Sequence, residues 1–187
     1  VLALIGERGR EMGEFLRGSM TGPAATRLVT IGETSDASPA QKRRAAWLAL
    51  CIAEHFRDEG AHVLLLMDSV TRFAEAHRDA SLAAGELPAL RGFPASTAGT
   101  VAALCERAGP GPVGHEGDIT AIFTVLVQGS DLDEPVADML RGMLDGHVVL
   151  DRSIAERGRF PAIDLARSLS RSAPAAWSRE EAALAGK

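Results

Sequence analysis

The chain has 187 residues, 46% of them hydrophobic, and carries a formal net charge of −5 at pH 7. This length fits one domain, or one domain with a tail, and the acidic balance argues against a protein whose main partner is nucleic acid. No apolar run approaches the roughly 18 residues of a membrane-spanning helix, and no basic leader precedes the first apolar run, so we expect neither a membrane span nor a signal peptide.

The first predicted strand, Val1–Ile5, is continuously apolar. The segment Gly6–Glu11 follows it as a turn in which glycines allow the backbone to approach a ligand closely. The sequence starts inside this strand without an initiating Met, so we expect a segment of a longer chain. Leu28–Ile31 is a second, short predicted strand.

A long helix is predicted from Ser38 to about Glu59, with Ser38 at the N-cap and Pro39 at the first helical position. The basic run Lys42–Arg44 in its first turn opposes the helix dipole, and we interpret it as solvated or facing a neighbouring subunit. The helical spacing predicts an apolar face made of Ala45, Leu48, Cys51, Ile52 and Phe56.

The next strand ends on a carboxylate. Val63–Met67 is apolar without a break, which predicts a strand buried on both faces, and Asp68 follows directly. Open α/β sheets bind ligands outside the carboxyl ends of their strands, and nucleoside triphosphatases place an Asp there for Mg²⁺. The alternative for Asp68, on this stretch alone, is a cap for the following helix.

The rest of the chain continues this alternation of helices and strands. Helices are predicted at Thr71–Ala84, Ser96–Ala108 and Val136–Leu144, strands at Ile119–Val127 and His147–Leu150, a helical turn at Ile154–Arg157, and a strand or turn at Leu165–Ser170. Continuously apolar strands that alternate with helices predict the α/β class, with a mostly parallel sheet between helices.

The cysteines and histidines show no metal-ligand spacing. We expect Cys51 and Cys105 to be reduced core residues of a cytosolic protein. We expect the histidines to be surface or hydrogen-bonded residues; they are His55, His62, His77, His115 and His147.

A series of motifs in fixed order carries a specific resemblance. The motifs are GERGRE, TSDASP, DSVTRFAEAHRD, LAAGE, DEPVADMLRGMLDGH, RFPAID and SLSR. Together they resemble the catalytic domain shared by rotary ATP synthases and type III export ATPases, and most of all the flagellum-specific export ATPases. The resemblance implies a RecA-like ATPase domain over residues 1–172, truncated at its N-terminus, with residues 173–187 as the start of a C-terminal helical segment or a tail.

The resemblance also implies a site for Mg²⁺ and ATP between subunits of a ring. Glu7 matches the catalytic Glu that polarises the attacking water, with a Glu that accepts local backbone hydrogen bonds as the alternative. Arg8 matches a γ-phosphate contact, and Glu11 a carboxylate near the metal. Asp68 would hold Mg²⁺ through water. Arg72 would pair with these acids or with the phosphates, and a structural ion pair is its alternative.

Two further residues match the family outside this cluster. Arg171 in SLSR matches the arginine finger that one subunit supplies to its neighbour, a role suited to the planar, charge-spreading guanidinium. Phe160 occupies the position of an aromatic ring against the adenine, where stacking needs no hydrogen bond. The alternative for Phe160 is an ordinary core position.

The phosphate-binding motif G-x-x-x-x-G-K-[ST] is missing from the 187 residues. Gly109–His115 has similar glycine spacing, but two prolines remove N–H donors, His replaces Lys, and a predicted strand follows where a helix N-terminus is required. We therefore expect a surface loop there. We also expect this segment alone to bind ATP weakly or not at all and to hydrolyse none.

The resemblance implies ATP hydrolysis that energises protein export through the flagellar type III apparatus. Its partners would be further copies in a hexameric ring, the export gate, regulator and stalk proteins, and chaperone–cargo complexes, without nucleic acid. The location would be cytoplasmic, at the export apparatus and at most peripheral to the membrane. The alternatives are a non-catalytic or truncated ring subunit and a catalytic-type subunit of a rotary ATP synthase; a hexameric helicase fits the acidic balance poorly.

Overall fold

Five strands form the central sheet of the computed structural model, which describes residues 1–19, 21–114, 117–129 and 131–185. They are β1 (Leu2–Glu7), β2 (Thr30–Thr34), β3 (His62–Asp68), β4 (Gly109–Pro110) and β5 (Asp118–Phe123). The order is β2-β1-β3-β5-β4, with parallel pairing except between β4 and β5. The mostly parallel sheet flanked by helices is thus confirmed. The strands β6 (Gly146–Leu150) and β7 (Ile163–Ser170) form a separate antiparallel pair.

Helices connect and follow these strands. They are α1 (Gly9–Ser19), α2 (Pro39–Asp58), α3 (Val70–Ala83), α4 (Ser96–Cys105), α5 (Pro135–Met143), α6 (Arg152–Glu156), α7 (Ala173–Ala176) and α8 (Arg179–Ala185). The last two occupy the predicted tail, whose residues 186 and 187 lie outside the described part. Among the described residues, no helix is both long and apolar enough to cross a membrane.

Helix α1 is missing from the sequence prediction, which places only a turn at Gly6–Glu11. Three glycines, at positions 9, 13 and 18, lower the helix propensity of this segment. The helix forms because it packs on β1 and β2. Gly32 in β2 leaves space for the sulfur of Met12, which lies 2.8 Å from where a Cβ on Gly32 would stand. Tertiary packing therefore overrides a weak local preference.

The start of α2 is as predicted, but of the predicted apolar face only Ala45 is fully buried. The Ser38 side chain accepts from the Gln41 N–H, and the Gln41 side chain accepts from the Ser38 N–H, which completes a capping box. Leu48 is 52% exposed, and Cys51, predicted to be a core residue, is also exposed. Small side chains let α2 approach both the sheet and α3 closely; the buried residues of α2 are Ala45, Ala46, Ala49, Leu50 and Ala53.

Strand β3 is buried on one face, not on both as the sequence predicts. Val63, Leu65 and Met67 are buried, whereas Leu64 is 51% exposed and Leu66 is 36% exposed. Helix α2 covers the buried face of the sheet. An unbroken apolar run therefore does not distinguish a strand covered on both faces from one covered on a single face.

The glycine-spaced segment rejected as a phosphate loop begins with β4. Gly109 pairs with Ile119 across the antiparallel β4–β5 contact. A strand therefore follows this segment, as expected, in place of the helix N-terminus that a phosphate would need. His115 lies outside the described residues.

Candidate functional site

The carboxyl ends of β1 and β3 carry the two acids singled out by the sequence. The strands are adjacent and parallel, with Leu4 opposite Asp68. Glu7 is the last residue of β1, and Asp68 is the last residue of β3. Both carboxylates therefore lie at the same edge of the sheet, in the crevice where open α/β sheets bind ligands.

Gly6 makes the end of β1 unusual. Its φ of +77° lies in the left-handed region, and the pairing of β1 with β2 shifts register between Ile5 and Glu7. The Arg72 side chain lies 3.3 Å from the position that a Cβ on Gly6 would occupy. The glycine thus provides the irregular backbone at the base of Glu7 and the space for Arg72 beside it.

Glu7 has an environment that favours its protonated form. Burial, followed by the negative charges of Asp68 and Glu11, raises the pKa of Glu7, while the cations Arg72 and Arg8 oppose this rise. Within the described part of the chain, no hydrogen bond to the Glu7 carboxylate is found. The alternative of a Glu that accepts local backbone donors therefore has no support. A half-buried carboxylate with raised proton affinity can accept a proton from a bound water.

Arg8 and Glu11 form an exposed pair beside Glu7. Arg8 Nη1 lies 3.3 Å from Glu11 Oε1, and the two side chains are 81% and 56% exposed. An exposed pair of this kind contributes little to stability. Both groups are therefore available to a ligand at this edge of the sheet.

Arg72 makes the ion pair that the sequence left open as an alternative. Its Nη1 lies 3.0 Å from Glu75 Oε2, one helical turn further along α3. Its positive charge also reaches Glu7, where burial and the charges of Asp68 and Glu11 raise the pKa and Arg72 opposes that rise. A cleft of about 230 Å³ lies beside it, lined in part by Lys42, Arg78 and Asp79. Arg72 therefore lies beside Glu7 and also lines an adjacent cleft of mixed charge.

Asp68 does not cap α3. The N-cap is Ser69, whose side chain accepts from the Arg72 N–H at 3.3 Å. The Asp68 carboxylate instead accepts a hydrogen bond of 2.5 Å from Thr124 Oγ1. The capping alternative for Asp68 is therefore wrong. Thr124 is a site residue that sequence reasoning missed, although a hydroxyl at the end of the apolar run ITAIFT was a usable signal.

Arg171 and Phe160 each have surroundings of their own. Arg171 follows β7, is exposed, and donates from Nη2 to the Arg141 carbonyl at 3.2 Å. Phe160 is 75% exposed, so its core alternative is wrong. In the described part of the chain, no hydrogen bond or ion pair joins either residue to Glu7 or Asp68. Within one chain, the structure therefore does not bring these two residues into the acidic cluster.

The donor set fits a magnesium ion that arrives with phosphates. Mg²⁺ is usually held by one or two carboxylates together with phosphate oxygens and waters. In the residues that the structure covers, no group of three or more His, Cys, Asp or Glu could hold a metal alone. Asp68 has one oxygen engaged by Thr124 and lies within electrostatic reach of Glu7. These residues therefore suit an ion that is only partly held by protein.

The histidines in the described part form hydrogen bonds or ion pairs, or lie exposed, as expected. His62 Nδ1 lies 3.0 Å from Asp118 Oδ1, and His147 Nε2 lies 3.0 Å from the Arg167 carbonyl. His77 is buried against Ser96, and His55 is exposed.

Comparison with known proteins gives a consistent result. The model of the ATP synthase alpha/beta family, nucleotide-binding domain, matches residues 1–170. The chain is 50% identical over 187 residues to the flagellum-specific ATP synthase of Agrobacterium fabrum, covering all of this chain and 39% of that protein. It is 49% identical over 171 residues to the protein of the same name from Salmonella typhimurium, covering 91% of this chain and 37% of that protein.

Solved structures show the same likeness. A prototypical ATPase from the type III secretion system of pathogenic bacteria matches with a TM-score of 0.88 and 47% identity over 96% of this chain and 51% of that one. The assembled ATPase EscN from enteropathogenic E. coli matches with a TM-score of 0.85 and 48% identity, over 91% and 40% of the two chains. The ATP synthase subunit NeqB of Nanoarchaeum equitans matches with a TM-score of 0.90 and 29% identity, over 97% and 45%.

Proposed function

This chain belongs to the ATP synthase alpha/beta family, and we propose that the protein hydrolyses ATP to drive export through the flagellar type III secretion apparatus. The chain spans about two fifths of the length of the flagellum-specific relatives that it matches. The activity is therefore assigned to the whole protein, of which this chain supplies the proton acceptor and the carboxylate for the metal.

The observation that carries the proposal is the pair of carboxylates at one edge of a parallel sheet. Glu7 accepts the proton of the attacking water, since its raised pKa gives it more affinity for a proton than an ordinary Glu. Asp68, at the neighbouring strand end, would hold Mg²⁺ through water. When bound, Mg²⁺ supplies charge stabilisation to the phosphate oxygens.

The cations around this edge hold the phosphates. Arg8 contacts the γ-phosphate once ATP is bound, exchanging its exposed pairing with Glu11 for a charge-assisted contact. Glu11 is a further carboxylate near the metal, and Arg72 pairs with these acids or with the phosphates; the charges of both reach Glu7.

Arg171 acts on a neighbouring copy of the chain. It is exposed, and among the described residues it makes no hydrogen bond or ion pair with the acids of its own chain, which fits a finger that reaches a site in another subunit. The relative EscN has been solved as an assembled ATPase, which supports a ring. Phe160, 75% exposed, is free to stack on the adenine.

The same relatives suggest the partners and the location. EscN has also been solved in complex with its central stalk EscO, so a stalk protein is the first partner we propose. The further partners we propose are chaperone–cargo complexes, the export gate and a regulator. The proposed location is the cytoplasmic face of the export apparatus. Identity of 47–50% to export ATPases against 29% to an ATP synthase subunit favours export over ion-coupled synthesis.

A complementation assay tests the shared site. In the full gene product, Glu7→Gln and Arg171→Ala each slow ATP hydrolysis by about 100-fold or more when assembled alone. In mixed rings, about a quarter of the interfaces combine an intact Glu7 from one copy with an intact Arg171 from the next, so hydrolysis reappears. The matched control is Arg179→Ala, an exposed arginine on α8 that keeps wild-type activity. Mixed rings as inactive as either variant alone would refute the shared site. A wild-type protein that does not hydrolyse ATP would refute the proposed hydrolase activity.

A further inference from the structure

Thr124, the first residue after β5, is fixed against the end of β3 by its backbone and its side chain. Its N–H donates to the Met67 carbonyl at 3.0 Å, and its carbonyl accepts from the Val70 N–H at 3.1 Å. Its Oγ1 lies 2.5 Å from Asp68 Oδ1 and 3.4 Å from the Met67 carbonyl. A hydroxyl has one proton to donate, and the short contact to a charged oxygen is the stronger of the two.

This contact selects one orientation of the Asp68 carboxylate. In the described residues, Thr124 is the hydrogen-bond donor found for that side chain, and it engages Oδ1. Oδ2 therefore stays available to a water or an ion at the edge of the sheet. A carboxylate held through one oxygen loses less rotational freedom when its other oxygen binds, so binding costs less.

We infer that Thr124 is a positioning residue that orients Asp68 for a metal-bound nucleotide. This inference rests on the proposed function, because it assigns Thr124 a role toward the Mg²⁺ of that same site. Thr124 acts through Asp68 and touches no reacting atom. Its main-chain bonds hold the strand ends together, whereas its hydroxyl sets the direction of the carboxylate.

A neighbouring threonine provides the comparison that separates positioning from structure. Thr71 Oγ1 accepts from the Leu126 N–H at 2.9 Å and donates to the Leu126 carbonyl at 3.3 Å. It therefore ties the same segment after β5 to α3, but through the main chain and not through Asp68. Loss of the Thr71 hydroxyl lowers stability without reorienting the carboxylate, whereas loss of the Thr124 hydroxyl reorients the carboxylate.

The test uses the full gene product, with Mn²⁺ as a spectroscopic probe for the metal. Free Mn²⁺ is followed by electron paramagnetic resonance during a titration in the presence of ADP. Thr124→Val weakens Mn²⁺ binding by about tenfold or more, the usual effect of losing a group that orients a metal ligand. Thr124→Ser keeps the hydroxyl and stays within about twofold of the wild type, as does Thr71→Val.

Hydrolysis provides the second readout. Thr124→Val raises the Mg²⁺ concentration for half-maximal hydrolysis by a similar factor, whereas kcat at saturating Mg²⁺ falls less. If Thr124→Val does not fold, Thr124→Ala replaces it with the same expectations. Unchanged Mn²⁺ binding in a folded variant without the hydroxyl overturns the inference alone. A wild type that neither binds ADP nor hydrolyses ATP overturns the proposed function, and this inference with it.

Discussion

The Glu7 and Asp68 carboxylates lie at the ends of adjacent parallel strands, close enough for the charge of Asp68 to raise the pKa of Glu7. Burial also raises the pKa of Glu7, and its contribution is larger than that of the Asp68 charge. A neighbouring negative charge that disfavours the ionised form of Glu7 is a poor arrangement for stability, but a useful one for accepting a proton and attracting a cation. We expect this loss of folding stability to be measurable.

Glu7→Gln should stabilise the protein at neutral pH. An acid whose pKa is raised in the folded state binds a proton more readily there than in the unfolded state. Ionisation of Glu7 therefore lowers the stability of the folded state as pH rises from the ordinary pKa of 4.5 through the raised pKa. Glutamine is neutral throughout. We expect a melting temperature higher by roughly 1–3 °C at pH 8, with the gain lost near pH 4. Thermal unfolding of Glu7→Gln beside the exposed Glu14→Gln measures this, and equal gains in both variants would contradict it.

His77 should make the protein less stable in mild acid. Its side chain is 5% exposed, and burial, then the charge of Arg43, lower its pKa, while Glu86 opposes them. The unfolded state therefore binds the proton first, and stability falls as pH drops below 6.5, by at most about 1.4 kcal/mol per pH unit. Denaturant unfolding between pH 7.5 and 5.5 should show a flatter profile for His77→Gln than for wild type.

His55→Gln, which alters an exposed histidine on α2, is the matched control for that series. It should keep the wild-type profile. A His77→Gln protein with the same pH dependence as wild type would show that other groups produce the acid sensitivity.

Two buried threonines should respond differently to the same substitution. Thr71 is 8% exposed and exchanges two hydrogen bonds with the Leu126 main chain, so Thr71→Val should cost about 1–3 kcal/mol of unfolding free energy. Thr97 is 1% exposed, and its Oγ1 has no hydrogen-bond partner in the described part of the chain. Thr97→Val should therefore be neutral or stabilising. Urea unfolding of both variants decides the matter; equal losses would mean that the Thr97 hydroxyl is satisfied in solution.

The 187-residue chain alone should bind ATP weakly or not at all, because its sequence contains no G-x-x-x-x-G-K-[ST] motif. In the proposed site, the acids and arginines would contact the metal and the γ-phosphate, but they provide no row of main-chain donors for the remaining phosphates. Calorimetry with Mg²⁺ and ATP, run on this chain and on the full gene product, compares the two. Tight, Mg²⁺-dependent binding by the chain alone would contradict this expectation.

Features with a local physical signal could be predicted from the sequence. The α2 start follows from Ser38 and Pro39, since an N-cap hydroxyl and a preset φ act within one turn. The position of Asp68 at a strand end follows from an apolar run that stops at a charge. The resemblance then supplied Glu7, which no local pattern distinguishes from any other surface Glu.

Features set by tertiary packing could not be predicted in this way. The buried face of α2 consists mainly of alanines because the helix contacts the sheet and α3 at once, and spacing favoured the larger Leu48. Helix α1 depends on the sheet against which Met12 packs. Thr124 reaches Asp68 only because β5 lies beside β3, which is a long-range fact of the topology.

ATP hydrolysis by the full gene product carrying Glu7→Gln tests the central claim most directly. If Glu7 accepts the proton of the attacking water, the variant should fold, bind Mg²⁺ and nucleotide, and hydrolyse about 10²- to 10⁴-fold more slowly than wild type. Hydrolysis at the wild-type rate would contradict the claim, because the proton would then have another acceptor.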